Sequence, residues 1–269
     1  MKKKHPKLTK FLRRMNRGLA LALAVVLIMA VWLGVSAARI RGDEAELREL
    51  TKRYVTELVE ISSLMNSGEV GDRVSEDTAA AMKGELSDIV ARYYSSSKAA
   101  QLAYRDSTYR TSGQKLVDGF DEWSRTAVVF HLEEAEIFEK DEVDHYGNTY
   151  PNYTFLVEQK GAKHLEVYFS FQMKVTLVSR DPYSFNVYPF ASKGGNYVEY
   201  YPDEKYPDQS FDKVEGGIYR SNATVNVTGR LVFVREGGEW KLACTQHVGA
   251  YVQSAQVTVI TGKEAMGND

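Results

Sequence analysis

Residues 165–177 read LEVYFSFQMKVTL, and their alternation decides the fold class. Leu165, Val167, Phe169, Phe171, Met173, Val175 and Leu177 fall on every second position. His164, Glu166, Ser170, Gln172, Lys174 and Thr176 supply polar groups between them, and Tyr168 is amphipathic. Successive side chains of a strand point to opposite faces. A period of two over seven apolar positions therefore predicts a long antiparallel strand with one buried face. Glu158-Gln-Lys-Gly161 just before it predicts a hairpin turn, with 153–159 as the preceding strand.

The same pattern extends outward in both directions. Residues 126–138 read as a strand of imperfect alternation. Residues 219–235 form another, with Val225, Val227, Leu231 and Phe233 on one face. Glu236-Gly-Gly238 turns the chain. Trp240, Leu242, Cys244, Val248, Ala250 and Val252 then share a face, with Gln246 as the exception, and 255–260 either extend the sheet or bend away at Ser254. Residues 181–217 break the pattern with Pro182, Pro189, Pro202, Pro207, two glycine pairs and six tyrosines. A loop of that length is expected to be functional or partly packed on the sheet. Its aromatic rings suit protein contact, so Tyr183, Tyr188, Tyr197, Tyr200, Tyr201 and Tyr206 are the candidate partner-contact residues.

Ahead of the strands the period is helical. Leu47, Leu50, Tyr54, Leu58, Ile61 and Met65 recur at intervals of three and four, and Asn66-Ser-Gly68 supplies a stop. A second helix is predicted over 75–94, capped by Ser75 and striped by Met82, Leu86, Ile89 and Tyr93. Residues 99–104 and 116–123 read as shorter helices.

The N-terminus has a different composition. Met1 to Arg17 carries eight Lys or Arg and no acid, and 18–38 hold 21 residues without a formal charge. About 20 apolar residues suffice for a helix to cross about 30 Å of hydrocarbon, and the basic flank predicts a cytoplasmic N-terminus. The expected layout is a basic cytoplasmic tail at 1–17, a single-pass transmembrane helix at 18–38, a helical stalk at 39–70, an extracytoplasmic α+β domain at 71–262 containing the 181–217 insertion, and a polar tail at 263–269. The expected location is the cell membrane, with lipid as the partner of 18–38 and self-association through the stalk.

Removing the eight basic residues of the tail from 34 Lys and Arg leaves 26 against 36 Asp and Glu. That acidic balance argues against nucleic acid as a partner, because phosphate binding needs concentrated positive charge. Cys244 is the single cysteine, so no intrachain disulfide forms.

Helices first and antiparallel strands after predict an α+β fold, with helices packed on a curved, cone-like sheet. This order resembles the nuclear-transport-factor-2-like superfamily, most of all in the closing hairpin GRLVFVREGGEWKLACTQHVG at 229–249. With the N-terminal head, it is distantly similar to the VirB-eight-type component of conjugation and secretion channels. The resemblance implies a cone that accommodates enzymes, ligand pockets or interaction surfaces. In such a cone Trp123, Tyr168 and Trp240, with Glu158, Asp118 or Asp121, would line a pocket.

Motifs for catalysis are missing from the sequence. His5, His131, His145, His164 and His247 show no metal-ligand spacing, and Asp141-Glu-Val-Asp-His145 reads as a solvated acidic turn. Cys244 and His247 lie three apart, which places them on opposite faces of a strand rather than in a nucleophile–base pair. No catalytic, cofactor or metal residue is therefore assigned, and no cofactor is expected. The expected function is that of a noncatalytic membrane-anchored subunit of a bacterial cell-envelope assembly, of the secretion or conjugation kind, with other envelope proteins as partners. The alternative is a small-ligand-binding or hydrolytic domain, for which convergent polar groups in a concave pocket are the test.

Overall fold

The computed structural model describes residues 17–100, 110–138, 141–143, 149–151, 154–161, 164–180, 187–190, 198–200 and 217–260; within the first helix, side chains are described for 25–31 and from 42 onward. The chain divides into two compact units, Met1–Arg48 and Glu49–Asp269. Helix α1 (Arg17–Glu60) passes from the first into the second and tightens into a 3-10 helix, Ile61–Ser67. Helix α2 (Glu76–Tyr93) follows, then strand β1 (Arg110–Thr111) and helix α3 (Gly113–Ser124). The remaining elements are strands: β2 (His131–Phe138), β3 (Asp141–Val143), β4 (Thr149–Pro151), β5 (Thr154–Gly161), β6 (His164–Ser179), β7 (Val198–Tyr200), β8 (Ile218–Glu236) and β9 (Glu239–Ile260).

The expected transmembrane helix is corrected. Among the described residues no helix is long and apolar enough to cross a membrane. Helix α1 runs on through Arg39, Arg41, Asp43 and Glu44 without a break. The single-pass topology, the lipid partnership of 18–38 and the assignment of the two ends to opposite sides of a membrane fall with that helix.

Within the second unit, the stalk stripe is spent on the unit's own core. Tyr54, Leu58, Ile61 and Met65 are buried, as are Val55 and Val59. The 39–70 stretch therefore keeps no described apolar seam there for pairing with a second copy, and the expected homo-oligomer through the stalk loses its basis. Ser75 caps α2, its hydroxyl accepting from the Thr78 amide at 3.2 Å. Met82, Leu86, Ile89 and Tyr93 form the buried stripe of that helix. Ser112 caps α3 in the same way, and Leu116 and Phe120 face inward. The helix read at 99–104 and most of the 181–217 insertion lie outside the described residues.

The sheet is α+β in composition and mostly antiparallel. Its order is β1-β9-β8-β6-β2, with β5 also on β6 and β7 parallel to β9. Strand β6 pairs β8 in unbroken register from His164↔Val234 to Ser179↔Tyr219. Its other side is shared, β5 along its first half and β2 along its second. All seven alternating apolar residues of β6 are buried, as the period requires. The expected cone is corrected: the pairing path ends at β1 and β2, and no described pairing closes it.

Strand β9 departs from simple alternation. Its pairing with β8 shifts between Thr224 and Val225, between Thr228 and Arg230, and between Val232 and Phe233. Each bulge moves later side chains to the other face. Leu242 pairs Phe233 while Cys244 pairs Val232, so these two do not share the one face expected from alternation. At the middle bulge His247 takes a positive φ of 48°. A Cβ on Gly229 would lie 2.9 Å from a Val248 methyl and 3.1 Å from its Cα, so the bulge presses onto a position that only glycine fills.

Candidate functional site

Two polar arrangements stand out from the apolar core. The first lies on the sheet face opposite the seven buried apolar positions of β6. Arg110, Gln246, Arg230 and Tyr168 are successive Cα partners on β1, β9, β8 and β6, which lines them up across the strands. Glu166, two residues from Tyr168 on β6, is buried, and the Arg230 guanidinium donates to it in a short ion pair. Arg230 also lies over the Tyr168 ring, 5.0 Å from its centroid, and His164 Nε2 is 3.9 Å from the Glu166 carboxylate. Gln246 and Gln172 are buried on the same sheet. Beside them Val232, Ala243 and Cys244 form a small apolar cluster with Ala100. The sequence predicted one buried face for this strand; the structure covers part of the second as well. The cost of taking both charges out of water offsets much of the attraction in a buried pair of this kind.

The second arrangement surrounds the last two turns of α1. An open cleft of about 400 Å³ runs between this helix and β2, lined by Lys52, Arg53, Thr56, Glu57 and Glu60 on one side and Ala135, Glu136 and Ile137 on the other. A smaller cleft of about 240 Å³ flanks the same helix and includes Glu57, Glu60, Leu64, Glu85 and Arg92. Helical spacing explains the first lining. Arg53, Thr56, Glu57 and Glu60 recur at three, four and seven residues, which is one stripe of the helix.

The charges of this stripe differ in how they are satisfied. Glu57 accepts from Arg92 Nη1 at 2.6 Å and from Tyr93 Oη at 2.8 Å, so both its oxygens are engaged. Burial first, and that bond to Glu57 second, push the Tyr93 hydroxyl up to about 12. Lys52 donates to Glu49 at 3.3 Å. Glu136 is the cross-strand partner of Lys174 and is exposed. Arg53 and Glu60 make no hydrogen bond or ion pair among the described residues and bracket the stripe from its two ends. Ala135 and Ile137 give the cleft an apolar floor.

The pocket residues named from the expected cone do not converge. Trp123 packs with Phe120 and Tyr188 at centroid distances of 5.4 and 5.5 Å. Asp121 is paired with Lys83 at 2.7 Å, and Asp118 accepts from Gln114 Nε2 at 2.8 Å. Trp240 lies under Arg235, while Tyr168 belongs to the opposite-face row. Of the six candidate contact tyrosines, Tyr188 is described with its side chain. Its ring stands edge-on to Phe120 at 5.4 Å and its hydroxyl donates to the Leu116 carbonyl. Tyr183, Tyr197, Tyr201 and Tyr206 lie outside the described residues, and Tyr200 is described only as part of β7.

No metal centre forms among the described residues, since no group of three or more His, Cys, Asp or Glu comes together there. Asp144 and His145 of the acidic turn are outside them. Cys244 is fully buried, and burial raises its thiol to about 12, with Arg110 and Arg230 opposing that rise. Such a thiol is no nucleophile at neutral pH.

The helical stripe that forms the cleft was legible in sequence as an amphipathic helix. Its role as a cleft wall was not, because that depends on where β2 comes to rest. Compared with protein-family models, with curated proteins and with solved structures, the chain matches none. The resemblance to the nuclear-transport-factor-2-like superfamily and to the VirB-eight-type component is therefore not upheld, because neither a match nor a membrane helix supports it. The same two findings remove the support for a membrane-anchored envelope subunit with envelope proteins as partners.

Proposed function

We propose that this α+β domain binds a small molecule, and that the binding site is the cleft between α1 and β2. The observation that carries the reading is the cleft itself: about 400 Å³ with an apolar floor and charged groups of both signs on its rim. Ligand sites occupy about 300–1,000 Å³ and combine apolar walls with a few placed polar groups. Binding is favoured over hydrolysis by the lining. Thr56 is its one hydroxyl side chain, and neither a histidine nor a cysteine lies beside it. The carboxylate nearest to Thr56 in sequence, Glu57, already accepts from Arg92 and Tyr93, so it is poorly placed to take a proton.

The test is ligand-observed NMR with a library of fragment-sized molecules on the full chain, repeated on Ile137→Trp, which fills the cleft. Fragments that bind the parent and lose binding in Ile137→Trp, with the thermal midpoint held within a few degrees, support the reading. A library that gives no binder, or binders indifferent to Ile137→Trp, overturns it.

A further inference from the structure

We infer that the ligand of this cleft is a small zwitterion whose ammonium and carboxylate are separated by several bonds, in the manner of an ω-amino acid or a short peptide. The inference rests on the cleft being the binding site. Its basis is the placement of two charges of opposite sign on the helix wall of the cleft. Arg53 and Glu60 both line the cleft, and neither makes a hydrogen bond or ion pair among the described residues. They are seven residues apart on one helix, a separation of about 10 Å along the axis. Of the other helix charges that line the cleft, Glu57 is answered by Arg92 and Tyr93 and Lys52 by Glu49, while Glu136 on the facing strand is exposed and makes no hydrogen bond or ion pair among the described residues.

Along its helix wall the cleft thus has a positive end at Arg53 and a negative end at Glu60, with Thr56 between them in sequence and Ala135 and Ile137 as the apolar part of the facing strand. A guanidinium offers a planar fork suited to a carboxylate. A carboxylate at the other end accepts from an ammonium. The apolar floor suits methylenes joining the two groups. A ligand with one charge leaves the other end of the cleft unanswered, and an uncharged one leaves both. Since Arg53 and Glu60 are exposed at the rim, each contact is screened by salt, and selectivity comes from having both.

The experiment uses 5-aminopentanoate, pentanoate and pentylamine as probes, titrated into the full chain by calorimetry at low ionic strength. The zwitterion is expected to bind at least tenfold more tightly than either singly charged probe, which corresponds to about 1.4 kcal/mol. Arg53→Ala is expected to bring the zwitterion down to the level of pentylamine, and Glu60→Gln to the level of pentanoate. Both residues are exposed, so neither change threatens the fold. If a singly charged probe binds as well as the zwitterion, or if none of the three binds while fragments still respond to Ile137→Trp, the zwitterion inference falls and the cleft reading stands. If fragments also fail to bind, both fall.

Discussion

The hydroxyls of Tyr54 and Tyr94 lie 2.8 Å apart, and both rings are buried between the helices and the sheet edge. Tyr54 comes from α1, while Tyr94 closes α2 and makes a bridge to Leu242 of β9. Tyr93 adds an edge-on contact to Tyr54 at a centroid distance of 5.4 Å. This pair ties the first helix of the domain to the last strand.

The first prediction concerns this shared hydrogen bond. Tyr54→Phe and Tyr94→Phe each leave the other buried hydroxyl without the partner it has here, and each is expected to cost about 1–3 kcal/mol. Urea unfolding of the two single variants and the double variant checks this. The double variant is expected to cost less than the sum of the singles, and additive losses would show that the two hydroxyls act independently.

A second prediction concerns Glu166 and Arg230. Glu166 is 7% exposed at its side chain and Arg230 is 28% exposed. Removing either partner strands a charge, so Glu166→Gln or Arg230→Met is expected to destabilise by about 2–4 kcal/mol, with the partial exposure of Arg230 holding it below the fully buried range. Replacing both, as Glu166→Leu with Arg230→Met, is expected to restore most of the loss, because no unpaired charge remains. A double-mutant cycle by chemical denaturation measures the coupling, and additive losses would show that the pair acts independently.

What the sequence made legible follows from what a local period can carry. The seven apolar positions from Leu165 to Leu177 predicted β6, and they are all buried. Ser75 predicted the start of α2, and its hydroxyl caps that helix. The turn at Glu236-Gly-Gly238 joins β8 to β9, with Gly237 and Gly238 at positive φ. The expectations that failed were those that depended on distant partners. Bulges in β9 put Leu242 and Cys244 against different neighbours, which no alternation in 240–252 announces. Glu166 looked like a solvent-facing gap in β6; it is buried because Arg230 sits on the adjacent strand, 64 residues away in sequence. The cleft needed Arg53 and Glu60 to face Ala135 and Ile137, a meeting between segments about 80 residues apart. The apolar head likewise read as a span from its composition, while among the described residues no helix is long and apolar enough to cross a membrane.

Asn66 provides a third test, this time of the strand that walls the cleft. Its side-chain amide brackets Leu132, donating to the carbonyl at 2.9 Å and accepting from the amide at 2.8 Å. The two bonds imitate a neighbouring strand where the β2–β6 register shifts between Leu132 and Glu134. Asn66→Ala removes both and is expected to cost about 1–3 kcal/mol. Hydrogen exchange is the sharper measurement: the Leu132 amide is expected to lose protection by more than that of Val175, which sits in the middle of the sheet. Equal loss at the two amides would mean that Asn66 supports the whole domain rather than the start of β2.

The buried thiol gives the last prediction, and its sign can be worked out. Burial raises Cys244 from an ordinary thiol value near 9 to about 12 in the folded chain. The unfolded state therefore releases this proton at lower pH than the folded state does. The stabilisation associated with the neutral thiol is fully present below about pH 9 and is lost as the pH climbs toward about 12. Cys244→Ala removes the titrating group and leaves a small cavity, whose cost of about 1 kcal/mol does not depend on pH. The urea midpoint of the parent is thus expected to fall more steeply between pH 8.5 and 10 (assay values on the order of the thiol's ordinary range) than that of Cys244→Ala. Tyr93, whose hydroxyl is raised by burial and by Glu57 rather than by Cys244, contributes equally to both chains and cancels in the comparison. Alkylation supplies an independent readout. At pH 8 the native thiolate fraction is lower than the unfolded one by roughly a thousandfold. Iodoacetamide is expected to label Cys244 rapidly in strong denaturant and at least about a hundredfold more slowly in the folded protein. Parallel pH slopes for the two chains, or native labelling as fast as denatured labelling, would place the thiol in contact with water and contradict its burial beneath Val232 and Ala243.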